Sequence, residues 1–155
     1  MKGVNGPDGS PQAAIRTATW RDLRSLNELE SLCFGKDSWP WLELLAALTV
    51  PGTIRLKAEL NSRPVGFAIG DRRSGGELGW VASLGVHPDY RRRGIGRLLL
   101  EACEAALGTR RLRLTLRTSN AAALALYRGA GYEQVDLWRR YYRDGEDGIV
   151  MERVP

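Results

Sequence analysis

At 155 residues, with 43% hydrophobic and 26% charged side chains, the chain has the composition of one globular domain. Its formal net charge is +5, carried by 20 Arg and 3 Lys, which points to an anionic partner: nucleic acid, a phosphorylated cofactor or an acidic surface. Two Cys and one His exclude a disulfide framework and a four-ligand zinc site, so no metal is expected. With no apolar run long enough to span a bilayer, the expectation is a soluble, cytoplasmic, reduced protein.

In chain order, residues 1–13 are rich in Gly, Pro, Asn and Ser and lack an apolar signal core. They read as a disordered leader to a single domain over 14–155. Ala14 to Ala18 suits a short strand. Thr19 then caps a helix with Asp22 in its first turn, and Leu23, Leu26, Leu29, Leu32 and Cys33 recur at helical spacing as its buried stripe. A second helix is predicted from Ser38, with Leu42, Leu45 and Leu48 inward, ending before Pro51-Gly52. Alternation predicts strands at Thr53–Leu60 and Val65–Ile69 around Asn61–Pro64, a loop at Asp71–Gly76, and a strand at Leu78–Val86.

A helix over Gly94–Leu107 follows, with Cys103 on its apolar face. Arg111–Arg117 alternates Leu with polar residues, the signature of a half-buried strand. Ser119-Asn120 caps an Ala-rich helix reaching Arg128. Strands at Tyr132–Trp138 and Gly148–Arg153 close the chain around a turn at Asp144–Asp147. The order β-α-α-β-β-β-α-β-α-β-β makes this a mixed α/β (α+β) fold with a central β-α-β unit.

The most informative stretch is Ser83-Leu84-Gly85-Val86-His87-Pro88-Asp89-Tyr90-Arg91-Arg92-Arg93-Gly94-Ile95-Gly96-Arg97, a strand leading through a basic loop into a helix. Free N–H groups and the helix dipole favour an anion at such a helix start, and the two glycines let backbone approach a pyrophosphate. The plain alternative is a Gly-containing helix start with solvated Arg. Neither G-x-G-x-x-G nor the Walker pattern is present.

The run L-G-V-H-P followed by Y-R-R-R-G-I-G-R resembles the acetyl-CoA motif of the GNAT N-acetyltransferase superfamily. Two further segments are similar to that superfamily: Leu114-Thr115-Leu116-Arg117-Thr118-Ser119-Asn120 with Tyr127 and Gly131-Tyr132, and Arg140-Tyr141-Tyr142-Arg143-Asp144-Gly145-Glu146-Asp147-Gly148. The last resembles the ending of protein N-terminal acetyltransferases of the ribosomal-protein-alanine type. The resemblance implies a mostly antiparallel sheet with an acetyl-CoA-binding β-α-β core. It also implies that Leu84, Gly85 and Val86 pair with the pantetheine arm, while Arg91, Arg92, Arg93, Gly94, Ile95, Gly96 and Arg97 hold the pyrophosphate. Asn120 is expected near the pantetheine, Tyr127 as general acid for the leaving thiolate, and Tyr141 and Tyr142 against the acceptor peptide.

The implied reaction is direct attack of an amine on the acetyl thioester. At the position where many relatives carry Glu or His, this chain has Thr115, which accepts no proton at neutral pH; Glu77 and Asp37 are alternatives that the sequence leaves unplaced. Missing a base costs about 0.8 kcal/mol for an α-amine and about 4 kcal/mol for a lysine, from their pKa values. That favours a protein N-terminus, including that of a ribosomal protein, over lysine. A small-molecule amine on the same fold and a basic nucleic-acid-binding module are the rivals. His87 reads as a loop-ordering or solvated residue and not a catalytic one, Cys33 and Cys103 as buried small hydrophobes, and Phe34, Trp39 and Trp41 as either cleft or packing residues. The clusters Arg110-Arg111-x-Arg113 and Arg139-Arg140 read as solvated charge or as a docking surface for an acidic or RNA-bearing partner.

Overall fold

The computed structural model describes residues 12–155; most of the expected leader lies outside them. Its elements are β1 (Ala14–Thr17), α1 (Leu23–Phe34), α2 (Trp41–Thr49), β2 (Ile54–Leu60), β3 (Arg63–Arg73), β4 (Leu78–Val86), α3 (Ile95–Leu107), β5 (Arg111–Arg117), α4 (Ala121–Gly129), β6 (Glu133–Trp138) and β7 (Gly148–Arg153). They form one sheet of order β1-β2-β3-β4-β5-β7-β6. Every pair is antiparallel except β4–β5, the two strands joined through α3. The mixed fold and its element order are as the sequence predicts. No helix among the described residues is long and apolar enough to cross a membrane.

Two apolar cores sandwich the sheet. The larger packs Leu99, Cys103 and Leu107 of α3 with Val81, Leu112 and Leu114 of the sheet, and Ala13 joins its edge. The smaller packs Leu26 and Leu29 of α1 and Leu44 and Leu48 of α2 onto Phe67 and Ile69 of β3. Each such fully buried Leu contributes about 1.5–3 kcal/mol by leaving water. The alternation of β5 is realised: Leu112, Leu114 and Leu116 are buried, while Arg113, Thr115 and Arg117 occupy the half-buried face.

Several boundaries and faces differ from expectation. In α1 the inward positions are Leu26, Leu29 and Glu30; Leu32 is exposed and Cys33 half-buried. The helix α2 starts at Trp41 after Pro40 and not at Ser38, and its buried face is Leu44 and Leu48, which pack toward Phe67 and Ile69, with Leu42 and Trp41 turned to solvent. The β2–β3 turn is only Asn61-Ser62, both with positive φ, as a tight right-twisted hairpin requires. Strand β3 runs on through Asp71 to Arg73, where the sequence suggests loop, because those residues pair with Leu78–Trp80 of β4.

Candidate active site

The site originates in an incomplete strand pairing. Strands β4 and β5 share a ladder only where Leu78–Trp80 face Arg111–Arg113, after which they part. On the far side of β4 a bulge at Ala82 shifts the register against β3, from Ile69↔Ser83 to Gly70↔Val81, and bends the strand where the gap opens. A cavity of about 220 Å³ fills the wedge. Its walls come from both parting strands, from α4, from α1 with the segment after it, and from the β6–β7 loop.

Tyr127 of α4 lies in that wall, with its ring edge-on to Tyr132 at 5.9 Å. Burial pushes its phenol up to about 12, with Tyr142 and Cys103 adding to the shift. The hydroxyl is therefore protonated at neutral pH and able to donate. Asn120, Leu84, Tyr141 and Tyr142 line the same cavity. The Asn120 side chain also accepts from the Ala123 N–H at 3.1 Å, so it caps α4 at the cavity rim.

The loop after β4 arranges the other expected residues less uniformly. Gly94 has φ +77 and caps α3, leaving the N–H groups of Ile95, Gly96 and Arg97 without helical partners. The side chain of Ile95 is buried, so only its backbone faces the loop. A Cβ on Gly96 would meet only ordinary contacts, with Leu126 at 3.5 Å and Val86 at 3.7 Å. Arg91 turns back to donate from Nε to the Val86 carbonyl at 3.0 Å, and Cys33 Sγ lies 3.4 Å from the same oxygen. That carbonyl is therefore already occupied. Arg93 lies over the Tyr90 ring, Arg97 pairs with Glu101 at 3.0 Å, and Arg92 is exposed with a φ of 63. His87 orders this loop as expected: its Nδ1 accepts the Asp89 N–H at 3.1 Å.

Gly85 serves packing as well as backbone access. A Cβ there would come within 2.9 Å of Cys33 Sγ and 3.1 Å of Phe67, so α1 sits close enough on β4 to require glycine. Cys33 is thus a half-buried contact at the strand end and not a core residue; burial raises its thiol pKa, which keeps it neutral. Cys103 is buried as expected.

The side of the cavity toward Tyr141 and Tyr142 is held by one arginine. Arg117 makes a two-pronged pair with Asp37 (Nε–Oδ2 2.5 Å, Nη2–Oδ1 2.7 Å) and reaches Asp144 at 2.9 Å and Glu146 at 2.7 Å. Its guanidinium also lies over the Tyr142 ring at 4.3 Å. With Lys36 bonded to Asp144 at 2.6 Å, the segment after α1 is clipped to the β6–β7 loop. Hydrogen bonds from Ser119 and Arg117 hold the Glu146 carboxyl below its usual range. Phe34 and Trp39 line the cavity, whereas Trp41 is 58% exposed.

Of the alternatives for the base, Asp37 lines the cavity but is bound to Arg117, and Glu77 is exposed where β4 and β5 are still paired. Thr115 does face the cavity, with its Oγ1 buried and unpartnered among the described residues. The carboxylate that sequence periodicity does not single out is Glu30. It is 1% exposed and lines the cavity, accepting from the Trp39 N–H at 3.1 Å and the Ser83 hydroxyl at 3.4 Å. Burial pushes its carboxyl up to about 7, against the two hydrogen bonds, which lower it. Its one signal in the sequence is a charged residue at the i+4 position from Leu26, inside the apolar stripe of α1.

Many of the other arginines are paired with acids: Arg16 with Glu59, Arg113 with Glu152, and Arg153 with Glu104.

This architecture is shared with characterised proteins. The profile of the Acetyltransferase (GNAT) family matches residues 20–132. The N-alpha-acetyltransferase RimI of Mycobacterium tuberculosis is 40% identical over 145 residues, covering 90% of each chain. The [ribosomal protein bS18]-alanine N-acetyltransferase of Salmonella typhimurium is 44% identical over 75 residues, 44% of this chain and 51% of that protein. The crystal structure of the ribosomal-protein-S18-alanine N-acetyltransferase from Escherichia coli superposes with a TM-score of 0.82 at 29% identity, covering 92% of this chain and 93% of that one. A parted β4–β5 pair, a glycine-capped helix after it and similarity over nine-tenths of the chain thus agree: the protein belongs to the GNAT family and is an acetyl-CoA-dependent acyltransferase.

Proposed function

We propose that the protein acetylates the α-amino group of a protein N-terminus, by direct attack of the amine on the thioester of acetyl-CoA. The observation that carries this reading is that one cavity is lined both by Leu84, Asn120 and Tyr127 and by Tyr141 and Tyr142. These are the residues expected on the cofactor side and on the peptide side respectively.

The residues fit acetyl-CoA as co-substrate. The edge of β4 beyond Trp80 has no ladder partner in β5. The His87 N–H bonds the Val65 carbonyl, so by alternation Gly85 turns its backbone groups to β3, and the Leu84 groups and the Val86 N–H are the ones left for an extended pantetheine arm. The first N–H groups of α3 suit the pyrophosphate, with Arg92, Arg93 and Arg97 supplying charge around them. Arg91 acts from behind by holding the strand end. Tyr127, kept protonated by burial, hands its proton to the departing thiolate. Tyr141, about half exposed, and Tyr142 receive the peptide backbone under the roof that Arg117 clips together.

The acceptor is tested by release of free thiol from acetyl-CoA against a panel of peptides. The panel is headed by alanine-terminal ribosomal-protein sequences, because relatives are named for that activity. Peptides with free N-termini are expected to turn over, and the same peptides blocked at the N-terminus but carrying lysine are not. Turnover of polyamines or blocked lysine peptides in place of free N-termini would overturn the reading.

A further inference from the structure

We infer that Glu30 is the group that takes the proton from the acceptor amine, working in the place that Thr115 leaves without a base. The inference rests on the acetyltransferase reading above and adds a residue to it.

The geometry makes Glu30 a base and not merely a buried acid. Among the described residues it is the one charged side chain that is fully buried, and it stands in the wall of the cavity that holds Tyr127. A carboxylate offers about four lone-pair sites. The Trp39 N–H takes one and the Ser83 hydroxyl a second, on opposite oxygens, so each oxygen keeps an unused site. Trp39 belongs to the segment after α1, and Ser83 follows directly on the β4 bulge. The carboxylate is thereby oriented from two sides, as a proton acceptor requires.

An ionisable group is also buried here at a cost, and its neighbours do little to offset that cost. Cys33 lies on the same helix, Asp37 follows it, and Arg117, Tyr127, Tyr141 and Tyr142 face the cavity from β5, α4 and the β6–β7 loop. The three tyrosines and Cys33 carry no positive charge, and Arg117 is committed to Asp37, Asp144 and Glu146. No cation pairs with Glu30 among the described residues, so burial dominates and brings its carboxyl to about 7. A base at that value is half ionised at neutral pH, where a general base is most effective. Thr115 Oγ1, buried and unpartnered, offers the amine or a bridging water a hydrogen bond from β5.

The step balances. An ammonium enters, and one proton passes from nitrogen to the Glu30 carboxylate, directly or through one water. The nitrogen lone pair bonds to the acetyl carbon, and the carbon–sulfur bond breaks. Tyr127 protonates the thiolate and recovers the second nitrogen proton, while the first leaves from Glu30 to solvent. The net products are amide, free thiol and one proton.

The test begins with the wild-type protein and acceptor peptides whose α-amine pKa values differ. At saturating substrates, kcat is expected to rise through a limb near pH 7 that stays fixed across the series. A limb that moves with the amine pKa, or no limb between pH 6 and 8, overturns the inference. Glu30→Gln is then expected to lower kcat about 10²-fold and to flatten that limb. The Glu30→Gln/Thr115→Glu double variant is expected to recover part of the loss, because it returns a carboxylate to the cavity from β5. An unchanged profile in Glu30→Gln overturns the role.

A readout without substrate accompanies these. The raised pKa means that the folded state keeps a proton that the unfolded chain releases. The stability this contributes is complete below about pH 4.5 and is lost as pH rises through about 7. The melting temperature of the wild-type protein is expected to fall across that window and that of Glu30→Gln to fall less; parallel falls overturn the inference. Acetyl-CoA should still raise the melting temperature of Glu30→Gln. Loss of that shift in the wild type as well would count against the acetyltransferase reading and not against Glu30.

Discussion

The two sides of the cavity are built by different means. The side expected to take acetyl-CoA is mostly backbone: an unpaired stretch of β4, a left-handed glycine and the first N–H groups of α3, all within residues 81–97. The side proposed to take the acceptor is mostly side chains, brought from far apart in the chain. Arg117 joins Asp37, 80 positions away, to Asp144 and Glu146, and Glu30 meets Ser83 across 53 positions. A backbone-built wall tolerates much change in side-chain identity, whereas a wall of converging charges depends on each member. On the proposed function this difference divides cofactor binding from chemistry and acceptor choice, and mutations should separate them.

The largest effect is expected at Tyr127. Tyr127→Phe keeps the ring that packs on Tyr132 and removes only the proton donor. It should lower kcat by about 10²-fold or more while leaving acetyl-CoA affinity within about twofold. Stopped-flow thiol release and calorimetric titration with acetyl-CoA check the two halves; equal losses in both would merge the two sides of the cavity. The next effect is at Arg117. Arg117→Gln unclips three carboxylates that then face one another, and it removes the cation from the Tyr142 ring. Because these groups reach solvent, the loss of stability is expected to be small and not that of a broken buried pair. The sharper expectation is a rise in acceptor KM of about tenfold with acetyl-CoA affinity unchanged, measured by steady-state kinetics in each substrate.

The same division explains what can be read from the sequence. The wall proposed to take acetyl-CoA is legible because its signals are local: a strand, a basic loop and two glycines opening a helix. The alternation of Arg111–Arg117 likewise puts Thr115 on the face opposite the buried leucines, which is the cavity face. The opposite wall is not legible, because nothing local to Arg117 announces that its partners are Asp37, Asp144 and Glu146. Glu30 escapes for a related reason. Helical periodicity favours apolar residues at inward positions, so the expected stripe runs through Leu32 and Cys33, while the inward turn of α1 is Glu30. Burial of a carboxylate becomes intelligible only once the Trp39 N–H and the Ser83 hydroxyl are seen to face it. Arg91 and Gly85, expected from the sequence to meet the cofactor, have internal roles in the structure: one holds the strand end, the other admits α1.

Gly85→Ala tests that last point at a smaller scale. The added Cβ meets Cys33 Sγ at 2.9 Å and Phe67 at 3.1 Å, neither at the end of a flexible chain, so β4 or α1 must shift. Overpacking of this kind costs about 1–3 kcal/mol. Thermal unfolding should show that loss, and acetyl-CoA affinity should fall with it because the displaced strand carries the expected pantetheine edge. Combining the change with Cys33→Ala, which removes the nearest obstructing atom, should restore part of both. Restored stability without restored affinity would show that the β4 edge is not where the cofactor arm lies.

The smallest effect is expected at Arg91, where charge and geometry make opposite forecasts. If the loop holds the pyrophosphate through its summed positive charge, Arg91→Lys is neutral and Arg91→Gln weakens acetyl-CoA binding. That weakening would shrink as salt screens the loop. If Arg91 acts by holding the Val86 carbonyl through Nε, the two variants behave alike, because lysine presents no fixed planar donor at that point of the side chain. The bond lies at a part-exposed site, so about 1 kcal/mol is at stake, roughly a fivefold change in affinity. The structure favours the second outcome: Arg91, Arg92 and Arg93 are all exposed, but Arg91 alone of the three turns its Nε to the strand end and bonds the Val86 carbonyl there. Calorimetric titration of both variants at two salt concentrations distinguishes a wall made by backbone from one made by charge.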